Sequence, residues 1–399
     1  MAPMSAAPDI ASARRGRRAV AAIFLVNGFL VGSWAPQIPV TMLRLEISEF
    51  TLGLMILGFG AGALAAMPVC GWLTSRHGAR PVLRVLAFAC AFALMPVAAA
   101  PGVMTAAIAL VVLGALVGGT DVVMNANAVE VERRLGRAIM SSSHGFWSLG
   151  GFIGGGIGGA LIQAQGHLVH AALATALAVA VTIAALPRLM ADTRPQAQDR
   201  PPFRLPRTPV VYLIGVIALF SMMPEGAVLD WAALYLSQER GADLATAGLG
   251  FAFFSGAMAV MRFAGDHVRD RYGAVPTLRV SGAIAAAALL AAGLSTDPLL
   301  AVAAFAVCGL GVANMVPIAF SAAGNQEGLA AGAALSTVTV MGYSGLLVAP
   351  SAIGFVGEQV GFSPVYLALS GLLLVVVAMA GVARAAEFRV EGAVGHPAE

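Results

Sequence analysis

Long apolar stretches separated by short polar segments run through almost the whole chain. Each stretch has about the 20 residues that a helix needs to cross the hydrocarbon core of a bilayer. The pattern therefore predicts an all-α membrane protein with twelve transmembrane helices, spans 1 to 12. We place them near residues 19–43, 51–74, 82–100, 103–128, 141–163, 167–187, 209–237, 244–265, 274–294, 298–323, 328–357 and 361–384.

A polar segment rich in proline and arginine divides the spans into two sets of six. It covers residues 188–208, and its four prolines favour an extended linker over a helix. The predicted parts are a cytoplasmic N-terminal tail (1–18), a six-helix bundle (19–187), the cytoplasmic linker (188–208), a second six-helix bundle (209–384) and a cytoplasmic C-terminal tail (385–399).

The composition agrees with a lipid environment. The 399 residues are 59% hydrophobic and only 11% charged, whereas soluble domains have about 25% charged residues. All 23 basic residues other than histidine are arginine, which excludes a lysine-bearing P-loop and lysine Schiff-base chemistry. Cys70, Cys90 and Cys308 lie inside apolar stretches without metal-site spacing. We therefore expect neither a metal nor a cofactor.

The arginines alternate between the two sides of the predicted bundle. Except for Arg44 and Arg240, every arginine lies before span 1, after span 12 or around a turn that follows an even-numbered span. In this count Arg262 belongs to the turn after span 8. Positive residues favour the cytoplasmic side of short loops. The pattern predicts a multi-pass protein of the plasma (inner) membrane with both termini in the cytoplasm. It also explains the net charge of +3 without a nucleic-acid partner.

Two loops, one in each half, carry similar sequences. Residues 71–80 read GWLTSRHGAR and residues 265–273 read GDHVRDRYG. Their first glycines, Gly71 and Gly265, are 194 positions apart (265 − 71 = 194), about half the chain. Two similar six-helix halves imply a parallel duplication about an axis along the membrane normal.

The paired loops resemble the signature of the major facilitator superfamily. The resemblance covers about residues 19–384 and implies the major facilitator fold, in which two pseudo-symmetric six-helix bundles rock around a central site. It also implies that these loops gate one side of the passage, although Ser75 stands where the family usually has Asp. The residues assigned to gating in this way are Arg76, Arg80, Asp270 and Arg271. Turn formation with topology-setting charge is the alternative interpretation.

Within the superfamily, the chain is most similar to the fucose-permease-like branch of sugar transporters. The residues that carry the likeness are Asp121 and Asn125 in span 4, Pro36 and Gln37 in span 1, residues 144–148 in span 5, and Glu225, Gly226, Asp230 and Trp231 in span 7. The branch has a carboxylate four residues before the Pro-Gln pair. That position is Gly32 here.

Asp121 is the most informative single residue. A charged side chain at the centre of a span costs about 2.5–3.5 kcal/mol on insertion, so it should face the interior of the bundle. Asn125 lies one turn further along the same face, and His144 should lie at a similar depth. We hypothesise that these three bind a proton or substrate hydroxyls. The alternative is that Asp121 bonds to neighbouring helices or caps span 4.

Five further side chains are candidates for the same passage. Glu225 follows Pro224, which favours a bend inside span 7. Asn27 and Asn314 either bind a polyol or tie helices together. Trp34 and Trp147 either stack on a sugar or pack as ordinary membrane aromatics. The predicted substrate- or proton-binding residues are thus Asp121, Asn125, His144, Glu225, Asn27, Asn314, Trp147 and Trp34.

These features favour a monomeric secondary transporter whose partners are a small polar solute, a sugar being the first choice, the proton and the lipid bilayer. The alternative is an efflux antiporter for a drug-like compound or metabolite, because the glycine run at residues 150–159 resembles the span-5 antiporter motif of the superfamily. Close helix packing is the preferred explanation of that run, since Gly155 stands where the motif has Pro. A membrane enzyme or receptor is the third class, and no catalytic motif supports it.

Overall fold

The computed structural model describes residues 10–135, 139–191, 206–326 and 331–386, apart from the side chains of residues 266, 270, 331–333, 335, 336 and 346–348. Within those ranges all regular secondary structure is helical. Among the described residues, eleven segments are long and apolar enough to cross a membrane, and a pair of helices bent by 42° makes a twelfth if it is one span. The predicted all-α architecture is confirmed.

The helices follow the predicted division into two sets of six spans. The first half contains α1 (Ile10–Trp34) with α2 (Gln37–Leu45) as span 1, α3 (Glu49–His77), α4 (Ala79–Ala91) with α5 (Leu94–Ala99) as span 3, α6 (Val103–Leu135), α7 (Met140–Gln165) and α8 (His167–Ala185). The second half contains α9 (Pro209–Glu239), α10 (Leu244–Tyr272), α11 (Ala274–Leu294), α12 (Pro298–Val312) with α13 (Met315–Gly324) as span 10, α14 (Ala331–Val360) and α15 (Phe362–Met379). Short 3₁₀ helices at Leu186–Arg188 and Ala380–Ala386 extend α8 and α15.

Several helices continue past the apolar window that predicted them. The first begins at Ile10 rather than at residue 19, and α10 continues to Tyr272 rather than ending at residue 265. Hydropathy detects the part of a helix that lies in lipid, but a helix ends only where the backbone is interrupted. Arg262 therefore lies inside α10, and its assignment to the turn after span 8 was wrong.

A constant offset of 195 positions relates the two halves. The glycines that follow α3 and α10, Gly78 and Gly273, have φ angles of 87° and 81° (273 − 78 = 195). Glycine alone adopts this conformation without strain. The same offset joins Gly166 and Gly361, with φ angles of 88° and 82°.

The repeat also corrects the register inferred from sequence. With Gly78 matched to Gly273, Arg76 is equivalent to Arg271, whereas pairing Gly71 with Gly265 is one position out of register. The turn glycines fix the register because the backbone requires them. Gly71 lies within α3, where a Cβ would meet open space, so it marks no equivalent position.

The halves meet along two equivalent helix pairs, α7 with α10 and α3 with α14. Gly159 of α7 packs against the carbonyl of Leu244 on α10, and Gly354 of α14 packs against the carbonyl of Glu49 on α3. Both partners differ by 195 positions. These contacts lie at the far end, which we define as the end with the turns at residues 46–48, 100–102, 166, 240–243, 295–297 and 361. The opposite end is the terminal end.

Candidate functional site

Five helices bring polar side chains to one depth in the bundle, which we call the polar level. The residues are Asp121 on α6, Ser148 on α7, Glu225 on α9, Arg262 on α10 and Tyr343 on α14. Each lies between 14 and 18 residues from the far end of its helix, which places it about 21–27 Å along the helix axis. The common depth arises because the helices start or stop at the same surface.

Arg262 is the centre of this group. Its Nη1 donates a hydrogen bond of 2.6 Å to Ser148 Oγ, and its Nη2 lies 3.6 Å from Glu225 Oε2. The Arg262 and Glu225 side chains are 17% and 23% exposed. A cation inside a membrane span is stable only when it is paired or reaches water. The guanidinium therefore joins the first half, through Ser148, to the second half, through Glu225.

Close packing of α7 against α10 holds Arg262 in this position. Ser255, almost two turns before Arg262 on α10, donates a hydrogen bond of 2.8 Å to the carbonyl of Ser148. A Cβ at Gly151 would lie 2.6 Å from Ser255 Oγ, so only glycine leaves room for that approach. The glycine run of α7 thus serves the contact on which Arg262 depends.

Of the predicted grouping of Asp121, Asn125 and His144, only Asp121 and Asn125 are joined by a hydrogen bond among the described residues. Asn125 Nδ2 donates a bond of 2.8 Å to the carbonyl of Asp121 within α6. His144 packs edge-on against Phe24, with ring centroids 5.2 Å apart, and interacts electrostatically with Arg262. That these three residues act together stays a prediction.

Tyr343 supplies the fifth side chain of the group. It interacts electrostatically with Asp121, Glu225 and Arg262. Tyr343 and Ser148 are equivalent under the 195-position offset, since one lies on α14 and the other on α7. The two helix pairs between the halves thus each contribute one hydroxyl to the polar level.

Asn27 ties three helices together. Its Nδ2 donates a bond of 3.2 Å to the carbonyl of Val117 on α6, and its Oδ1 accepts a bond of 2.9 Å from Trp147 Nε1 on α7. Asn27 is 2% exposed. Both ends of the amide are used by the protein, which favours the helix-tying alternative for Asn27 and fixes the Trp147 indole.

Trp34 and Asn314 lie where spans are broken. Trp34 ends α1 at the bend before α2 and is buried. Asn314 lies between α12 and α13, and its Oδ1 packs against the backbone of Gly265 on α10. Asn314 Nδ2 is a buried donor for which the described residues provide no acceptor. A break in a span frees polar backbone groups, which a membrane protein tolerates only where they are buried in protein or line a water-filled cavity.

The predicted gating residues lie at the terminal end. Arg76 and Arg271 are exposed, and each guanidinium lies over an aromatic ring of its own helix, Trp72 at 5.5 Å and Tyr272 at 5.7 Å. Arg80 is half-buried at the start of α4. The side chain of Asp270 lies outside the described residues. The gating roles of all four residues stay predictions.

A cavity of about 400 Å³ lies at the terminal end. Its apolar wall is formed by α1 and by Phe146 of α7, with Arg17 and Arg18 among the residues that line it. Phe146 meets Phe263 of α10 edge-on, with centroids 5.7 Å apart. Phe146 is two residues before Ser148 on α7, so the cavity lies on the terminal-end side of the polar level.

Sequence reasoning missed Arg262 and Tyr343. A signal for Arg262 existed, because it stands within the apolar stretch assigned to span 8 and was nevertheless counted as a loop residue. Tyr343 gave no signal, since a single aromatic residue in an apolar span is typical of ordinary packing.

Comparison with known proteins gives the family. Residues 20–326 and 214–395 match the family model described as Major Facilitator Superfamily. The chain is 35% identical over 358 residues to an uncharacterised MFS-type transporter of Yersinia pestis, a match that covers 90% of this chain and 93% of that protein.

Solved structures show the same fold. The structure of a mutant of the nucleoside transporter NupG superposes with a TM-score of 0.72 at 13% identity, covering 92% of this chain and 99% of that one. The D-xylose-proton symporter superposes with a TM-score of 0.70 at 13% identity, covering 92% and 97%.

Proposed function

This chain belongs to the Major Facilitator Superfamily of membrane transporters, and from that membership we propose that it is a secondary active transporter for a small polar solute. The proposed cycle is alternating access driven by the proton gradient, with a sugar as the first choice of solute. We further propose that the protein works as a monomer in the plasma (inner) membrane with both termini in the cytoplasm. The cluster around Arg262 is the single observation that carries this proposal.

Alternating access requires two rigid halves and a site between them. The two halves repeat each other at 195 positions, and they touch closely at the far end through glycines such as Gly159 and Gly354. The cavity beside Phe146 lies at the other end. A solute entering from the terminal end would reach the level of Arg262, where both halves contribute side chains. Rocking would then expose the same side chains to the far end.

The balance of charge at that level supports proton coupling. Two carboxylates, Asp121 and Glu225, and one guanidinium, Arg262, lie at this level, so one bound proton makes the group neutral. A bound proton would change the charge balance around Arg262, which contacts Ser148 of the first half and Glu225 of its own half. A charge change of this kind biases rocking only if the two end states bind the proton differently. The contact of Arg262 with both halves supports such a difference.

A polyhydroxylated solute suits the chemistry of the level. Carboxylates, a guanidinium and two hydroxyls offer hydrogen bonds to several hydroxyl groups at once. The likeness of the residues around Asp121 to the sugar branch, and the fold shared with the D-xylose-proton symporter, support the same choice.

The test is transport by the purified protein in proteoliposomes, after a thermal-shift screen against sugars, polyols and amphipathic drugs has supplied a ligand. We expect a sugar or polyol to stabilise the protein and an imposed pH gradient to drive its accumulation. In Asp121→Asn, exchange of solute across the membrane should persist while accumulation driven by the pH gradient is lost. Full accumulation by Asp121→Asn would remove Asp121 from the mechanism.

The apolar wall of the terminal-end cavity favours one other function. Ala21, Ala22, Leu25 and Phe146 would suit a compound that is larger and less polar than a sugar. Two results together would establish efflux and refute sugar uptake. Only amphipathic drugs would stabilise the protein, and inverted vesicles with an acidic interior would take up such a drug in exchange for protons.

A further inference from the structure

Among the helices that begin at the far end, α3 and α10 each have a side chain that caps their own N-terminus. Ser48 Oγ accepts a hydrogen bond of 3.3 Å from Thr51 N at the start of α3. Asp243 Oδ1 accepts one of 2.8 Å from Thr246 N at the start of α10. This backbone bond holds the pKa of Asp243 below its usual value of 3.8. The first four N–H groups of a helix lack internal partners, and each cap satisfies one of them.

A second N–H group of each helix is satisfied by the opposite half. Phe50 N of α3 donates a bond of 3.0 Å to Glu358 Oε2 on α14. Ala245 N of α10 donates a bond of 3.0 Å to Gln163 Oε1 on α7. Each half therefore supplies an acceptor to one helix of the other half.

These two bonds are equivalent in the repeat. Glu358 and Gln163 are 195 positions apart, as are Phe50 and Ala245. Both acceptors lie two residues before the end of their helices. The same hydrogen bond is therefore present twice, once with a carboxylate acceptor and once with an amide acceptor. What the two acceptors share is a side-chain oxygen.

The close contact of the helices brings each acceptor within reach. A Cβ at Gly354 would lie 2.6 Å from Glu49 O, and one at Gly159 would overlap Leu244 O. These glycines lie one turn before Glu358 and Gln163 on the same helices. The bonds therefore exist only while the far end is closed, because separating the backbones carries the acceptors away from the N–H groups.

We propose that Glu358 and Gln163 form the far-end latch, a reciprocal pair of positioning residues that holds the two halves together by capping a helix of the opposite half. The inference rests on the proposed alternating access. When the halves rock apart, water replaces the acceptors at both N-termini. Each bond has a modest net effect, so the latch is reversible.

The size of the effect follows from ordinary hydrogen-bond energetics. A net hydrogen bond changes an equilibrium by about fivefold. Removing either acceptor should therefore raise the ratio of far-end-open to far-end-closed molecules about fivefold. The two bonds share no partner, so their effects should multiply in the double variant.

The test measures the distance between spin labels on the two halves by double electron–electron resonance. Pro101→Cys and Thr296→Cys place the labels on exposed far-end loops, one in each half and 195 positions apart. The three native cysteines are buried. Gln163→Ala and Glu358→Ala should each enlarge the fraction of long distances. Glu358→Gln should leave it unchanged, because the amide oxygen found at Gln163 is restored at position 358.

Asp297→Ala is the matched control. Asp297 caps α12 at the same end, but it accepts from Leu299 N and Leu300 N of its own half. Its loss should not change the label distance. Gly159→Ala provides a second approach, since it forces the same backbones apart with Gln163 intact, and it should enlarge the long-distance fraction.

Unchanged distances in both Gln163→Ala and Glu358→Ala would overturn the latch, as would a shift in Glu358→Gln as large as that in Glu358→Ala. The measurement needs no solute. A protein that shows the shift but carries nothing would refute the proposed function and leave the latch standing.

Discussion

The pair formed by Glu225 and Arg262 gives the sharpest prediction about the stability of the bundle. At 3.6 Å the two charges attract each other by about 5 kcal/mol before desolvation, for an effective dielectric constant of about 20. Removing one partner of a buried ion pair costs about 3–5 kcal/mol, because the other charge is left uncompensated. Both side chains keep some exposure, so we expect a loss of about 2–3 kcal/mol in Arg262→Met or Glu225→Gln alone.

The double variant, Glu225→Gln with Arg262→Met, should recover much of that loss. Neither charge remains in the span, so the combined cost should fall short of the sum of the two single losses by about 2 kcal/mol. For a chain of this length, 2–3 kcal/mol corresponds to a fall of about 3 °C in apparent Tm. The measurement is thermal unfolding of the four proteins in the same detergent. Additive losses would refute direct pairing and assign each side chain an independent role.

Two further predictions concern packing in the first half. Gly114→Ala places a methyl group on a backbone carbonyl of α3 and should abolish folded yield, whereas Gly71→Ala, whose Cβ meets open space, should express and elute as the native protein does. Size-exclusion chromatography distinguishes the two variants. Asn27→Leu leaves the Trp147 indole without its acceptor and removes the bond from Asn27 to the Val117 carbonyl, which keeps its helical bond, and should cost about 1–3 kcal/mol by thermal unfolding. A stable Asn27→Leu protein that has lost only solute affinity would instead make Asn27 a ligand.

The spans could be predicted from sequence because lipid imposes a single rule on every helix. A membrane segment must be apolar and must satisfy its own backbone, so a hydropathy count alone places it. The same rule does not predict how far a helix continues beyond the membrane into water. For this reason the start of α1 at Ile10 and the end of α10 at Tyr272 were missed, and Arg262 was assigned to a loop.

The partners of buried polar groups lay beyond sequence reasoning. The amide of Asn27 and that of Asn314 look alike in a sequence, yet the structure shows two bonds for Asn27 and a donor without an acceptor for Asn314 within the described residues. Whether an amide finds hydrogen-bond partners within the protein depends on the positions of a few neighbouring polar atoms. Those positions follow from helix rotation, which hydropathy does not determine.

The repeat separates what holds the protein together from what gives it a substrate. Contacts at the far end are duplicated at 195 positions, as the bonds of Glu358 and Gln163 show. The charged residues of the polar level are not duplicated, since the position equivalent to Arg262 is Met67 and the position equivalent to Asp121 is Val316.

Two interfaces that are equivalent in the repeat join the halves, one at each edge of the bundle, so both edges can take part in rocking. A single binding site needs only one set of charges, and a second guanidinium in a span would need its own counter-ion. Substitutions at the duplicated contacts should therefore change how often each end opens, and substitutions around Arg262 should change what is bound and what drives it.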